Sequence, residues 1–230
     1  MQNPIDSRQG FILLDLSFGK EALRVLLVNE VDENNKAIPK DFEYITSHHY
    51  SRMTLDLNID LQALGFQNFQ GQPSYHQSCM CMERNDVQNG LKLHMEVFKT
   101  RMCGWGVRSW DPIRAGTFIC EFAGVRKTKE EESVPEFFNL TTQVLISAKE
   151  KENVARFMNH ICKPNVFWQL IESDTYVRIG IFAMKHIFPM TELTYDYGVS
   201  FVERIREDER LYKGNKICLC GSLNCRGSFG

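Results

Sequence analysis

With 230 residues, 43% of them hydrophobic and 24% charged, the chain has the composition of a globular protein built around one main core. A formal net charge of -2 gives no general basic field, which disfavours direct binding to DNA. The apolar runs at 11–14 and 25–28 fall far short of the roughly 18 residues a membrane span needs, and no cationic-then-apolar leader opens the chain, so a soluble intracellular protein is expected.

Residues 1–90 are irregular in pattern, with polar turn clusters at 32–36 and 70–74 between short apolar stretches. The texture changes at Leu91. Leu93, Met95 and Val97 alternate with polar residues, and Phe118, Cys120 and Phe122 alternate with Ile119, Glu121 and Ala123, as strands do. Further short strands are predicted at 143–147, 166–171, 176–183 and 192–195, each bounded by Gly, Pro, Asn or charged residues. The charged run 127–132 reads as a solvated loop or helix face. Residues 200–213 alternate apolar and charged residues at roughly helical spacing and are expected to link the β-rich part to the C-terminus.

Eight cysteines could suggest a disulfide framework, but four of them form Cys-x-Cys pairs in a long chain with no export signal, which favours metal binding. Cys79 pairs with Cys81, and Cys218 with Cys220; only the second pair has a further cysteine close by, Cys225. Three thiolates fall one short of tetrahedral zinc, and Cys162 is the candidate to complete the set. Such a site would pin the C-terminal tail against the segment around Cys162. The bland alternative is a group of free thiols.

Three other segments stand out. Gly104-Trp105-Gly106 lies between two predicted strands, where glycines permit close approach of a ligand to the backbone or simply a tight hairpin. The run 156–165 crowds Asn159, His160 and Cys162 between a helix-like segment and a strand; the amide of Asn159 could match an adenine edge, or the run could be a Pro-Asn turn with a core histidine. In the run 192–198, Tyr195 and Tyr197 share one face if the segment is extended. A phenol pair there can orient a substrate amine or be an ordinary strand margin.

In this order, Gly104-Trp105-Gly106, Arg156-Phe157-Met158-Asn159-His160-Ile161-Cys162, Glu192-Leu193-Thr194-Tyr195-Asp196-Tyr197-Gly198 and the Cys218, Cys220, Cys225 tail resemble the SET-domain lysine methyltransferases. The stretches 96–100, 108–121 and 182–187 are similar to the plant Su(var)3-9 homologues, and the likeness covers nearly all of 91–230, continuing faintly through 28–32. The resemblance implies a mainly β fold of short sheets, β-clip-like, with a C-terminal pseudoknot and a small post-SET zinc module. It divides the chain into a degenerate pre-SET-like region (1–90), a SET domain (91–198), a linker (199–213) and a post-SET segment (214–230). It further implies S-adenosylmethionine as methyl donor, bound along Gly104, Trp105, Gly106, Arg156, Asn159 and His160, with Tyr197 and Tyr195 as the catalytic phenols and zinc on Cys162, Cys218, Cys220 and Cys225. Tyr195 fills the position that limits methylation number, and its hydroxyl suggests mono- or dimethylation. The implied substrate is a histone H3 tail, at lysine nine, in nuclear chromatin, with a repressive outcome.

The chain departs from that pattern at several points. Residues 1–90 hold only Cys79 and Cys81, too few for the three-zinc cluster of the family's pre-SET region, and these two are expected to be free. Phe122 stands at a usual tyrosine, Val125 at a usual acid, and Ile161 and Lys163 at usually small positions. The interval between Val125 and Val144 is short. These departures motivate a second reading, a catalytically silent chromatin protein that keeps the SET scaffold for interaction. A third is methylation of a non-histone protein.

Overall fold

A computed structural model describes residues 10–31, 39, 43–47, 49–50, 90–128, 137–139, 144–172, 177–197 and 216–229. Cys79, Cys81, Gly198 and the expected linker 199–213 lie outside them.

The described residues form short strands in small sheets. The first sheet takes β1 (Phe11–Leu13), β2 (Leu26–Val28), β5 (Met95–Lys99) and β6 (Trp105–Ser109) in that order. The predicted alternation from Leu91 onward produces β5, in which Met95 and Val97 are buried; its Glu96 is buried too. A buried carboxylate is costly unless fully bonded. Here Glu96 accepts from Arg108 at 2.8 and 2.5 Å and from the Trp110 indole at 2.8 Å, and Arg108 also lies over the Phe98 ring.

Residues before Leu91 build into this same sheet: β2 runs parallel to β5, pairing Leu26 with Glu96, and Val25 and Leu27 enter the common core. Strands of three residues are too short to leave a periodic trace, so nothing in the residue pattern announces them. Likewise β3 (Glu43–Tyr44) pairs in parallel with β11 (Lys151–Glu152), and β4 (His49–Tyr50) with β8 (Val125–Thr128). The start of the charged run 127–132 thus belongs to a strand rather than a solvated loop, since pairing with β10 (Val144–Ser147) satisfies its backbone and the Lys127 side chain is 16% exposed, while 129–132 lie outside the described residues. On the far side of β10 lies β9 (Phe137–Asn139).

A three-stranded antiparallel sheet of β7 (Phe118–Glu121), β14 (Val177–Ala183) and β13 (Val166–Glu172) supplies the rest of the core through Ile119, Ile179, Ile181 and Val166. Each such side chain, fully buried, stabilises by roughly 1.5–3 kcal/mol. Packed against β6 and β7 is a 3-10 helix, Val154–Phe157, capped by Asn153, whose carboxamide oxygen accepts from Ala155 N. That helix leads directly into β12 (Asn159–His160), which pairs in parallel with β15 (Thr194–Tyr195). The tail ends in a small antiparallel pair, β16 (Lys216–Ile217) with β17 (Ser228–Phe229). Among the described residues no helix is long and apolar enough to cross a membrane.

Candidate active site and metal centre

The site is built where 192–197 threads between β6 and β12. Leu193 N donates to Val107 O at 2.8 Å on one side, while Asn159 and His160 pair with Thr194 and Tyr195 on the other. Asn165 locks the passage from behind: its Nδ2 donates to Glu192 O at 2.7 Å, and its Oδ1 accepts from Thr194 N at 2.9 Å. Leu193 and Met158 are wholly buried under this crossing. A strand gripped along both edges is the pseudoknot that the motif order implied.

Gly104 sits in the turn from β5 to β6 with φ of 70°, and a side chain there would meet open space. Gly106 faces the opposite constraint. A Cβ at that position would lie 2.7 Å from Glu192 Oε1 and 3.0 Å from the Phe98 ring, so any side chain there would have to displace the Glu192 carboxylate. Asn159 binds both sides of this contact, its Nδ2 lying 3.1 Å from Trp105 O and 2.8 Å from Glu192 Oε1. Both donors of that amide therefore hold protein groups, and its fit to an adenine edge rests on the remaining oxygen. Arg156, one turn earlier, pairs with the buried Glu152 and lies beside the Phe157 ring.

Tyr195 and Tyr197 do share a face, with ring centroids 4.6 Å apart. Tyr195 is buried, and that burial together with neighbouring Tyr197 pushes its phenol well above the ordinary range, so it stays protonated. Tyr197 is 41% exposed and donates from its hydroxyl to Met158 O at 2.7 Å. That bond fixes where the phenol oxygen sits. Two further rings complete the cluster: His160 meets Tyr197 edge-on at 5.5 Å, and Phe229 stacks on His160 at 4.1 Å while meeting Tyr197 edge-on at 5.6 Å. Sequence reasoning missed Phe229. Its only signal is that it is the single aromatic residue of 214–230, four places beyond Cys225.

The four cysteine sulfurs of Cys162, Cys218, Cys220 and Cys225 all lie within 4.8 Å of one another. Cys162 Sγ is 3.6 Å from Cys218 Sγ and 4.0 Å from Cys225 Sγ. Tetrahedral zinc with bonds of about 2.3 Å requires sulfurs about 3.8 Å apart, so the residues fit the ion. Burial pushes the Cys162 and Cys218 thiols upward, and a cation is what lets such sulfurs ionise together. The backbone N–H groups of Arg226 and Gly227 point at Cys162 Sγ and Cys225 Sγ, at 3.4 and 3.3 Å, as suits thiolate acceptors.

Residues 104–198 match the SET domain family. The histone-lysine N-methyltransferase, H3 lysine-9 specific SUVH7 of Arabidopsis thaliana is 56% identical over 297 aligned positions, which take in 98% of this chain and 43% of that relative. SUVH8 of the same plant, also named H3 lysine-9 specific, is 55% identical over 98% of this chain and 38% of its own length. The chain thus spans less than half of these curated relatives. The aligned span also exceeds the 230 residues available, so the relatives carry segments inside the matched region that this chain lacks. Among solved structures, KRYPTONITE in complex with mCHH DNA, an H3(1-15) peptide and SAH superposes with a TM-score of 0.70 at 26% identity, covering 99% of this chain and 55% of that one. Arabidopsis SUVH6 in complex with SAM superposes with a TM-score of 0.68 at 25% identity, covering 97% and 57%.

Proposed function

Because the chain belongs to the SET-domain family, on the branch of the Su(var)3-9 homologues, we propose that it transfers a methyl group from S-adenosylmethionine to a lysine of the histone H3 tail, lysine nine by analogy with its relatives, in nuclear chromatin. The observation that carries this reading is the ring cluster of Tyr195, Tyr197, His160 and Phe229, roofed by a tail whose three thiols converge with that of Cys162 on one point.

The donor supplies an electrophilic methyl group on a positively charged sulfur. What the chain must provide is a neutral amine aimed at it. A lysine with its ordinary pKa near 10.4 costs about 4 kcal/mol to deprotonate at pH 7.5. Desolvation between aromatic walls and repulsion from the donor's charge both favour loss of that proton to solvent before transfer. No general base is then required. In this reading the faces of Tyr195, Tyr197 and Phe229 enclose the amine, and the Tyr197 oxygen, fixed by its bond to Met158 O, orients the nitrogen lone pair. Gly104, Trp105, Gly106, Arg156, Asn159 and His160 form the donor-binding side. Asn159 acts there by holding Trp105 O and Glu192 in place. Cys162, Cys218, Cys220 and Cys225 hold zinc, and the ordered tail brings Phe229 onto the cluster.

Labelled methyl transfer to core histones tests the proposal. Wild-type chain should label H3, and Tyr197→Phe should lower the rate by about two orders of magnitude with the fold retained. Donor binding without transfer to histones would contradict it, and absence of transfer to a broad protein extract as well would favour the silent-scaffold reading that Phe122, Ile161, Lys163 and the short interval after Val125 prompted.

A further inference from the structure

Between the two tyrosines stands Asp196, whose side chain is 1% exposed, and across from it lies Arg226, immediately after the ligand candidate Cys225. The guanidinium Nη2 is 2.6 Å from Asp196 Oδ1, while the backbone N–H of the same arginine points at Cys162 Sγ. One tail residue thus touches both the thiol cluster and the segment that carries Tyr197. A second strut runs parallel to it. Tyr197 N donates to His160 Nδ1 at 3.2 Å, which places the hydrogen of the neutral ring on Nε2, and Nε2 lies 3.6 Å from Cys162 Sγ.

We propose that Asp196 and Arg226 are a positioning pair, with His160 as the second strut, that transmits occupancy of the four-cysteine centre to the orientation of the Tyr197 ring. The inference deepens the function proposed above and rests on it for its kinetic consequence. The physical grounds are geometric. An exposed aspartate would gain little from an exposed arginine, but a carboxylate buried to this degree is held strongly to a guanidinium that neutralises it, so the backbone between Tyr195 and Tyr197 follows the tail. Without a metal the tail has little apolar surface of its own to hold it, since Ile217, Leu219 and Leu223 all face solvent. The pair would then lose its anchor, and the ring of Tyr197, already 41% exposed, would be free to swing away from Met158 O.

Removing only one partner leaves a buried charge alone, so the informative variant is the doubly neutral Asp196→Asn/Arg226→Met, with Arg226→Lys as the conservative comparison. Two readouts are needed on the full chain: the ring signal of Tyr197 in a carbon-13 tyrosine spectrum, assigned by its loss in Tyr197→Phe, and kcat with KM for donor and an H3 peptide. The expected result is a double variant that keeps one zinc per chain and wild-type donor KM, yet shows the Tyr197 signal displaced toward its position in zinc-stripped wild-type protein, with kcat lower by about 10- to 100-fold. Arg226→Lys should recover part of both. An unmoved ring signal would overturn the proposal, as would a signal that moves only in proportion to lost zinc. If wild-type protein transfers no methyl group, the functional reading fails while the ring signal still decides the coupling.

Discussion

The pseudoknot and the tail that roofs it are held together by different physics. Around 154–197 the chain is fixed by burial and by the backbone: Val154, Met158 and Leu193 are fully buried, and 192–197 is bonded along both edges. The described tail, 216–229, has two strands of two residues and exposed Ile217, Leu219 and Leu223; its attachments include the four sulfurs, the Asp196–Arg226 pair and the Phe229 ring. A core-held element resists anything short of unfolding. A ligand-held one can be released while the rest stays folded.

The largest expected difference comes from removing a tail ligand. Structural zinc is worth about 10–16 kcal/mol in small finger peptides, more than a tail of this kind can replace from packing. Cys218→Ser should therefore abolish zinc retention and expose 216–229 to limited proteolysis, while the thermal transition of the remaining chain moves little; a tail that stays protected in zinc-free protein would erase the distinction. Next in size is the reciprocal experiment. Leu193→Ala should cost about 2–5 kcal/mol in denaturant unfolding, because it opens a cavity beneath the crossing, without changing zinc stoichiometry in the folded protein.

The smallest effect sharpens the comparison from the core side. Glu121 is buried beside Arg178 at 3.5 Å, and desolvation lifts its carboxyl from 4.5 to about 7 despite the arginine. The folded state then keeps a proton that the unfolded state has released, so this group's contribution to stability is full below pH 4.5 and is lost as pH rises through about 7. Glu121→Gln should flatten that part of the stability–pH curve by up to about 3 kcal/mol. An unchanged slope would show that Glu121 does not titrate there.

Much of the β architecture is legible in the sequence because β5 alternates and β13 and β14 are apolar runs long enough, between turn or charged residues, to read as strands, and the ordered motifs mark Gly106, Asn159 and Tyr197 as parts of one neighbourhood. The completing role of Cys162 can be read from an arithmetic gap, three clustered thiols needing a fourth. Other features leave no such trace. The N-terminal strands are too short for a period, and the burial of Glu96 is explained only by Arg108 and Trp110 arriving from beyond its own strand. Phe229, Arg226 and Asp196 act through contacts across some thirty or more residues of sequence, which no local pattern encodes. The same holds for Asn159, whose amide type is visible in the sequence while its two protein partners are not.

The most direct test is transfer of a labelled methyl group to an H3 tail peptide by the metal-loaded chain, the same preparation after chelation, and the preparation after zinc is restored, with circular dichroism followed throughout. Transfer should be lost on chelation with the β signal preserved, and should return with zinc. Full transfer by demonstrably metal-free protein would contradict the claim that a metal-held tail completes the site.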